Sequence, residues 1–188
     1  MQDREKLMKV YIVRHAEPDY TQADKYGFWG FGKNLAPLAK EGIEKAEETS
    51  HDKRLKNAKI IVSSPYTRAL QTAQIISKNT GIDVAVEVGL HEWIADMSNT
   101  LKKTPDAAKE FKEYKGVHPV GKDCTWEEVE PMRRRMRAVL DKYSHLDAII
   151  IVGHEMSLKT LTYFETMERG GIMEINYDPD APDSEYWF

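Results

Sequence analysis

Apolar residues along this chain follow two rhythms. Short aliphatic runs occupy residues 9–13, 59–62, 84–88 and 148–152, with a weaker run over Ile172–Tyr177; each has the length of a strand. Between most of them the apolar positions return every three or four residues, the spacing of a helix that buries one face. This alternation predicts an α/β fold, a three-layer sandwich with a mostly parallel central sheet and helices on both faces.

The clearest helical stripe spans residues 126–143, where Val129, Met132, Met136, Val139, Leu140 and Tyr143 share a face. Thr125 and Glu128 read as a capping box at its start. Arg133, Arg134, Arg135 and Arg137 fall mostly outside the stripe and read as a solvated face with no catalytic role. A second helix is expected to open at Ser64 and Pro65 and to stop before Gly81, since Ser64 can cap and Pro65 suits the first helical position. Further helices are expected over 38–50 and after Gly153. Residues 93–124 are polar, contain Gly and Pro, and lack a clear rhythm. They read as an insertion between the third and fourth strands that carries specificity.

Composition narrows the picture. The length, 188 residues, suits one domain over 1–188. The net charge of -4 comes from interleaved acids and bases, so no broad positive field invites nucleic acid. Cys124 is the sole cysteine, which rules out an internal disulfide and a multi-thiolate metal site and points to a reducing, cytoplasmic compartment. The first residues read as a short charged extension, without the apolar run of a secretory signal, and no segment has the length of a membrane span. No nucleic acid and no membrane are expected as partners; a homodimer is allowed.

The chemistry-bearing residues sit where strands end. In an open parallel sheet, ligands bind beyond the carboxyl ends of the strands, where backbone amides collect. Arg14 and His15 follow the first run, Ser64 to Arg68 the second, Leu90, His91 and Glu92 the third, and Gly153 and His154 the fourth. Brought together, these supply guanidiniums, imidazoles, a carboxyl group and the N–H groups that follow Ser64 and Gly153. That set describes a phosphate pocket, because the guanidinium fork donates paired hydrogen bonds to phosphate oxygens and stays charged. Each piece alone is ambiguous; the recurrence at consecutive strand ends carries the reading.

The run YIVRHAE at 11–17 resembles the Arg-His-Gly motif of the histidine phosphatase superfamily, also called the phosphoglycerate mutase-like family. SSPYTRALQTA at 63–73 resembles its second motif. Residues 38–46 fit its Leu-Thr-x-x-Gly-x-x-Gln-Ala segment, with Ala39 and Lys45 in place of Thr and Gln, and Leu90-x-Glu92 and Gly153-His154 complete the order. The resemblance implies a phosphatase that hydrolyses a small phosphomonoester without metal or cofactor. His15 would become phosphohistidine while Arg14, Arg68 and His154 neutralise the equatorial oxygens. Backbone groups at Ser64 and Glu155 would help bind phosphate. Glu92 is the expected general acid, its pKa raised by nearby phosphate, with Asp96 in reserve and Glu17 at the rim. Neighbouring arginines are expected to keep His15 neutral, with its second nitrogen held by a backbone carbonyl.

Two positions depart from the pattern. Ala16 replaces the motif glycine and adds a methyl near the pocket. Glu155 brings a carboxylate beside bound phosphate, so its side chain is expected to point away or to be protonated. The modest insertion favours a phosphatase over the alternative of mutase-type phosphoryl transfer. A non-catalytic phosphate-binding module is a second alternative. A third is a metal-dependent hydrolase using His15, Glu17, His91, Glu92, His154 and Glu155, although adjacent arginines would repel a cation. Residues 26–32 mix aromatics with glycines, either as a loop over the ligand or as ordinary packing. The acidic, Pro-containing stretch before residues 186–188 reads as irregular chain, and the aromatics at 186–188 either add to specificity together with His91 or dock on a neighbour.

Overall fold

The computed structural model describes residues 7–28, 30–98, 106–183, 185, 186 and 188. In chain order the described elements are β1 (Met8–Arg14), α1 (Thr21–Lys25), a 3-10 turn (Gly30–Leu35), α2 (Lys40–Ser50), β2 (Ile61–Ser63), α3 (Thr67–Thr80), β3 (Val84–Val86), α4 (Ala107–Glu113), α5 (Val129–Tyr143), β4 (Ala148–Gly153), α6 (Glu155–Leu158) and β5 (Ile172–Tyr177). The sheet runs β3-β2-β4-β1-β5. Its first four strands are mutually parallel, and β5 lies antiparallel on the β1 edge. The expected mostly parallel α/β sandwich is the fold observed.

Alternation along the strands divides the core. Val10 and Ile12 of β1 and Ile149 and Ile151 of β4 face α5, where Met136, Val139, Leu140 and Tyr143 meet them. Tyr11, Val13, Ile150 and Val152 face the other way onto Ala69, Ala73 and Ile76 of α3. Successive residues of a strand point to opposite faces, so central strands buried on both sides must be aliphatic throughout. Hence the unbroken run AIIIV in β4.

Several helix boundaries differ from expectation. Helix α5 begins at Val129, three residues after Trp126. Glu128 makes no cap bond there, because its Oε1 accepts from the amide of His118 at 2.7 Å, and Trp126 is drawn into an aromatic cluster. Ser64 does not cap α3, which starts at Thr67 after an extended Tyr66. The helix ends as expected at Gly81, whose φ of 74° is the left-handed conformation of a C-terminal glycine. After Gly153 only the four-residue α6 forms.

The insertion is less irregular than its composition suggests. Helix α4 lies within it, and Trp93, Phe111, Trp126 and Tyr186 pack as one aromatic cluster, with Phe111 edge-on to Trp126 at 5.4 Å and to Tyr186 at 5.7 Å. Residues 99–105 of the insertion lie outside the described residues. Tyr186 and Phe188 pack on their own chain, against the insertion's Phe111, where docking on a neighbour was the alternative reading; Trp187 is outside the described residues.

Candidate active site

Register sets the site. Arg14 pairs with Gly153, and Ser63 with Val152, so β1, β2 and β4 end flush with one another. The residue after each strand end therefore emerges at one edge. The rings of His15 and His154 are 5.1 Å apart, and Arg68 enters from the first turn of α3.

Arg68 joins them. Its Nε donates to His15 Nε2 at 3.2 Å, its Nη2 to His154 Nδ1 at 3.2 Å, and its Nη1 to Asn34 Oδ1 at 3.3 Å. A guanidinium only donates, so both ring nitrogens facing it carry lone pairs, and the protons sit on the far nitrogens. Accordingly, His15 Nδ1–H donates to the Ala16 carbonyl at 2.7 Å, and His154 Nε2–H to Ser64 Oγ at 2.7 Å. The acceptor expected for His15 is that carbonyl.

Burial is the main reason these rings are neutral. His15, 6% exposed, has its pKa pushed down to about 3, first by loss of solvent and then by Arg68 and Arg14, with the Ala16 carbonyl acting the other way. His154 falls well below the usual range for the same first cause, reinforced by Arg68. The neighbouring arginines act in the expected direction, and burial outweighs them.

Arg68 itself is 5% exposed, and among the described residues no carboxylate pairs with it. A buried cation without a counter-charge is costly, and an arriving anion would relieve it. Arg14 is different. Its Nη1 pairs with Glu155 at 2.6 Å and donates to the Met167 carbonyl, while its buried Nε has no acceptor. The Glu155 side chain therefore points at the pocket and is balanced by Arg14, contrary to the expectation that it turns away.

Glu92 sits half-buried over the start of α6. Its Oε1 accepts from the amides of Trp93 at 2.8 Å and Ser157 at 3.0 Å, and its Oε2 from Met156 at 3.4 Å. Those donors favour the carboxylate, yet burial outweighs them and its pKa is raised. The rise precedes any phosphate. Asp96 instead closes a turn by accepting from Ser98, and Glu17 pairs with Arg169. Ser64 is buried with its Oγ engaged by His154, so its hydroxyl orients that ring.

Ala16 is fully buried against Leu38 and Ala46, its methyl filling a small apolar cluster while its N–H donates to Thr72 Oγ1 at 3.1 Å. Beside it, a Cβ on Gly42 would overlap the Glu17 carbonyl, which is why the segment at 38–46 needs glycine there. Of residues 26–32, Tyr26, Phe28 and Phe31 are exposed; Trp29 lies outside the described residues. Sequence reading missed Asn34, Thr72, Arg135 and Arg169. Arg135 lies three residues after Met132 and four before Val139, on the flank of the stripe, which is a signal that it faces inward. Among the described residues, no group of three His, Cys, Asp or Glu side chains is arranged to hold a metal ion. None of the described helices is long and apolar enough to cross a membrane.

Two neutral histidines bridged by an unneutralised arginine at the ends of parallel strands describe a phosphoryl-transfer site, and the family comparison agrees. Residues 10–179 match the model of the histidine phosphatase superfamily, branch 1, so the chain belongs to that superfamily and is an enzyme of its phosphatase and mutase class. A relative in Photorhabdus laumondii named for phosphoglycerate mutase is 26% identical over 161 residues, covering 82% of this chain and 73% of its own. One in Hydrogenobacter thermophilus named for phosphoserine phosphatase is 27% identical over 197 residues, covering 92% and 91%. Among solved structures, a mycobacterial glucosyl-3-phosphoglycerate phosphatase bound to VO3 superposes with a TM-score of 0.67 at 18% identity, covering 89% of this chain and 90% of that one. The α-ribazole phosphatase of Shigella flexneri gives 0.65 at 19% identity, covering 91% of each. At these identities the structures share the fold.

Proposed function

We propose that the protein is a metal-independent phosphatase that hydrolyses a small phosphomonoester through a phosphohistidine at Nε2 of His15. The observation that carries this reading is Arg68, a buried guanidinium with no carboxylate partner among the described residues, bonded to the lone-pair nitrogens of His15 and His154. Phosphate would supply the missing negative charge, and one of its oxygens could occupy the unsatisfied Nε–H of Arg14.

In the first step the Nε2 lone pair attacks phosphorus and the bond from phosphorus to the ester oxygen breaks. The departing oxygen takes the proton of Glu92, whose raised pKa suits an acid. Arg14 and Arg68 balance the equatorial oxygens, and His154 joins them once phosphate gives its Nδ1 a proton to donate. In the second step Glu92 takes a proton from water, the water oxygen attacks phosphorus, and the bond from phosphorus to nitrogen breaks, restoring His15. Backbone N–H groups near Ser64 and at Glu155 assist.

Hydrolysis is favoured over mutase transfer because a phosphoglycerate carries a second anionic group. Around the pocket, Arg135 and Arg169 are each already paired with a carboxylate. The reading treats 1–188 as one domain with specificity in 93–124, acting on a phosphorylated metabolite in the cytoplasm. The test measures phosphate released from simple phosphomonoesters beside isomerisation of 3-phosphoglycerate. Release should predominate, resist chelators and yield to vanadate, and His15→Ala should abolish both turnover and the acid-labile phosphoenzyme. Predominant isomerisation, or turnover unchanged in His15→Ala, overturns the proposal.

A further inference from the structure

The 89–94 turn that carries Glu92 is gripped by a single side-chain pair on and before α5. Arg135 forms a fork with the buried Glu127, Nε to Oε1 at 2.7 Å and Nη2 to Oε2 at 2.9 Å. The same guanidinium donates to three carbonyls of that one turn: Nη1 to those of Gly89 at 2.5 Å and His91 at 2.7 Å, and Nη2 to that of Glu92 at 3.4 Å. Glu127 completes the hold from the other side. Its amide donates to the Ile94 carbonyl at 2.8 Å, its Oε2 accepts from the Ile94 amide at 3.3 Å, and its carbonyl accepts from Trp93 Nε1 at 2.8 Å.

Gly89 permits the approach. A Cβ there would lie 2.7 Å from Val139 Cγ2 and 2.9 Å from the Arg135 carbonyl, so the turn can press against α5 only without a side chain. The electrostatics matter as well. A lone cation beside Glu92 would favour the carboxylate and deprive it of its proton. Pairing with Glu127 lets the guanidinium hold the turn while its charge is balanced.

We propose that Arg135 and Glu127 are positioning residues that hold Glu92 in place for the departing oxygen. This rests on the reading of Glu92 as general acid. The experiment compares kcat/KM for an alkyl phosphate, whose alkoxide must be protonated to leave, with that for p-nitrophenyl phosphate, whose phenolate leaves without a proton. In Arg135→Met and Glu127→Gln the alkyl ester should lose about 10- to 100-fold more than the nitrophenyl ester, the scale of a misplaced catalytic group. The alkaline limb of the pH profile should also move, to lower pH in Glu127→Gln, where an unpaired Arg135 lowers the pKa of Glu92, and to higher pH in Arg135→Met, where the carboxylate left at Glu127 raises it.

Arg135→Lys keeps the charge and stem but lacks the fork, and serves if Arg135→Met does not fold; it should show the same selective loss. Equal losses on both esters with an unmoved pH limb in folded variants overturn the proposal. Glu92→Gln is the reference. Equal losses there overturn the general-acid reading and this inference with it, whereas selective loss in Glu92→Gln alone overturns only the role of Arg135 and Glu127.

Discussion

The phosphate pocket and the aromatic insertion stand in opposite relation to stability. In the pocket, Arg68 is buried with a positive charge that no described carboxylate balances, and two histidines are held neutral by burial. In the insertion, Phe111 packs edge to face against Trp126 and Tyr186. The pocket is left electrically incomplete and the insertion is closed. That contrast separates what this chain keeps for a ligand from what it keeps for itself.

Arg68→Met should widen the contrast most. Activity should fall by about 100- to 1000-fold, the cost of losing a preorganised donor to transition-state charge, while stability stays equal or rises by ~1 kcal/mol because a buried unbalanced charge is gone. Thermal unfolding checks it, and a clear drop in Tm would show that Arg68 is structural. Phe111→Ala should do the reverse, costing about 3–5 kcal/mol in a denaturant titration through the cavity it leaves. Turnover at a temperature where the variant stays folded should change little, and a loss as large as that of Arg68→Met would erase the distinction. Glu155→Gln is the smallest and finest test. Freeing Arg14 from its carboxylate should tighten inhibition by inorganic phosphate about fivefold, equivalent to ~1 kcal/mol for a partly exposed ion pair. Weaker inhibition would mean that Glu155 orients Arg14 for phosphate.

Much of the pocket was legible because its residues follow strand ends, and strand ends are marked by where an aliphatic run stops. His15, Arg14, Arg68 and His154 meet for that reason. What escaped depends on which segments cross in space. Arg135 looks like its exposed neighbour Arg134 in a one-dimensional reading, and only the passage of 89–94 over α5 distinguishes them. The false caps share a cause. Ser64 and Glu128 have the right side chains for helix starts, but His154 and the His118 amide compete for them, and tertiary partners win over local ones. Glu155 was misjudged for want of its partner: a carboxylate that looks repulsive to phosphate alone is neutralised by Arg14 at the end of the adjacent strand.

The main chain around His15 is tied to three separate elements. Its amide donates to the Gly153 carbonyl at 3.0 Å, its carbonyl accepts from Gly170 at 3.3 Å, and the next amide reaches Thr72 on α3 at 3.1 Å. With the ring also fixed through Nδ1, the proposed nucleophile has no rotational search to complete when a phosphoester arrives. The ordering entropy was spent when the protein folded, so each catalytic cycle begins with the attacking atom already aimed, and the substrate alone must be brought into line.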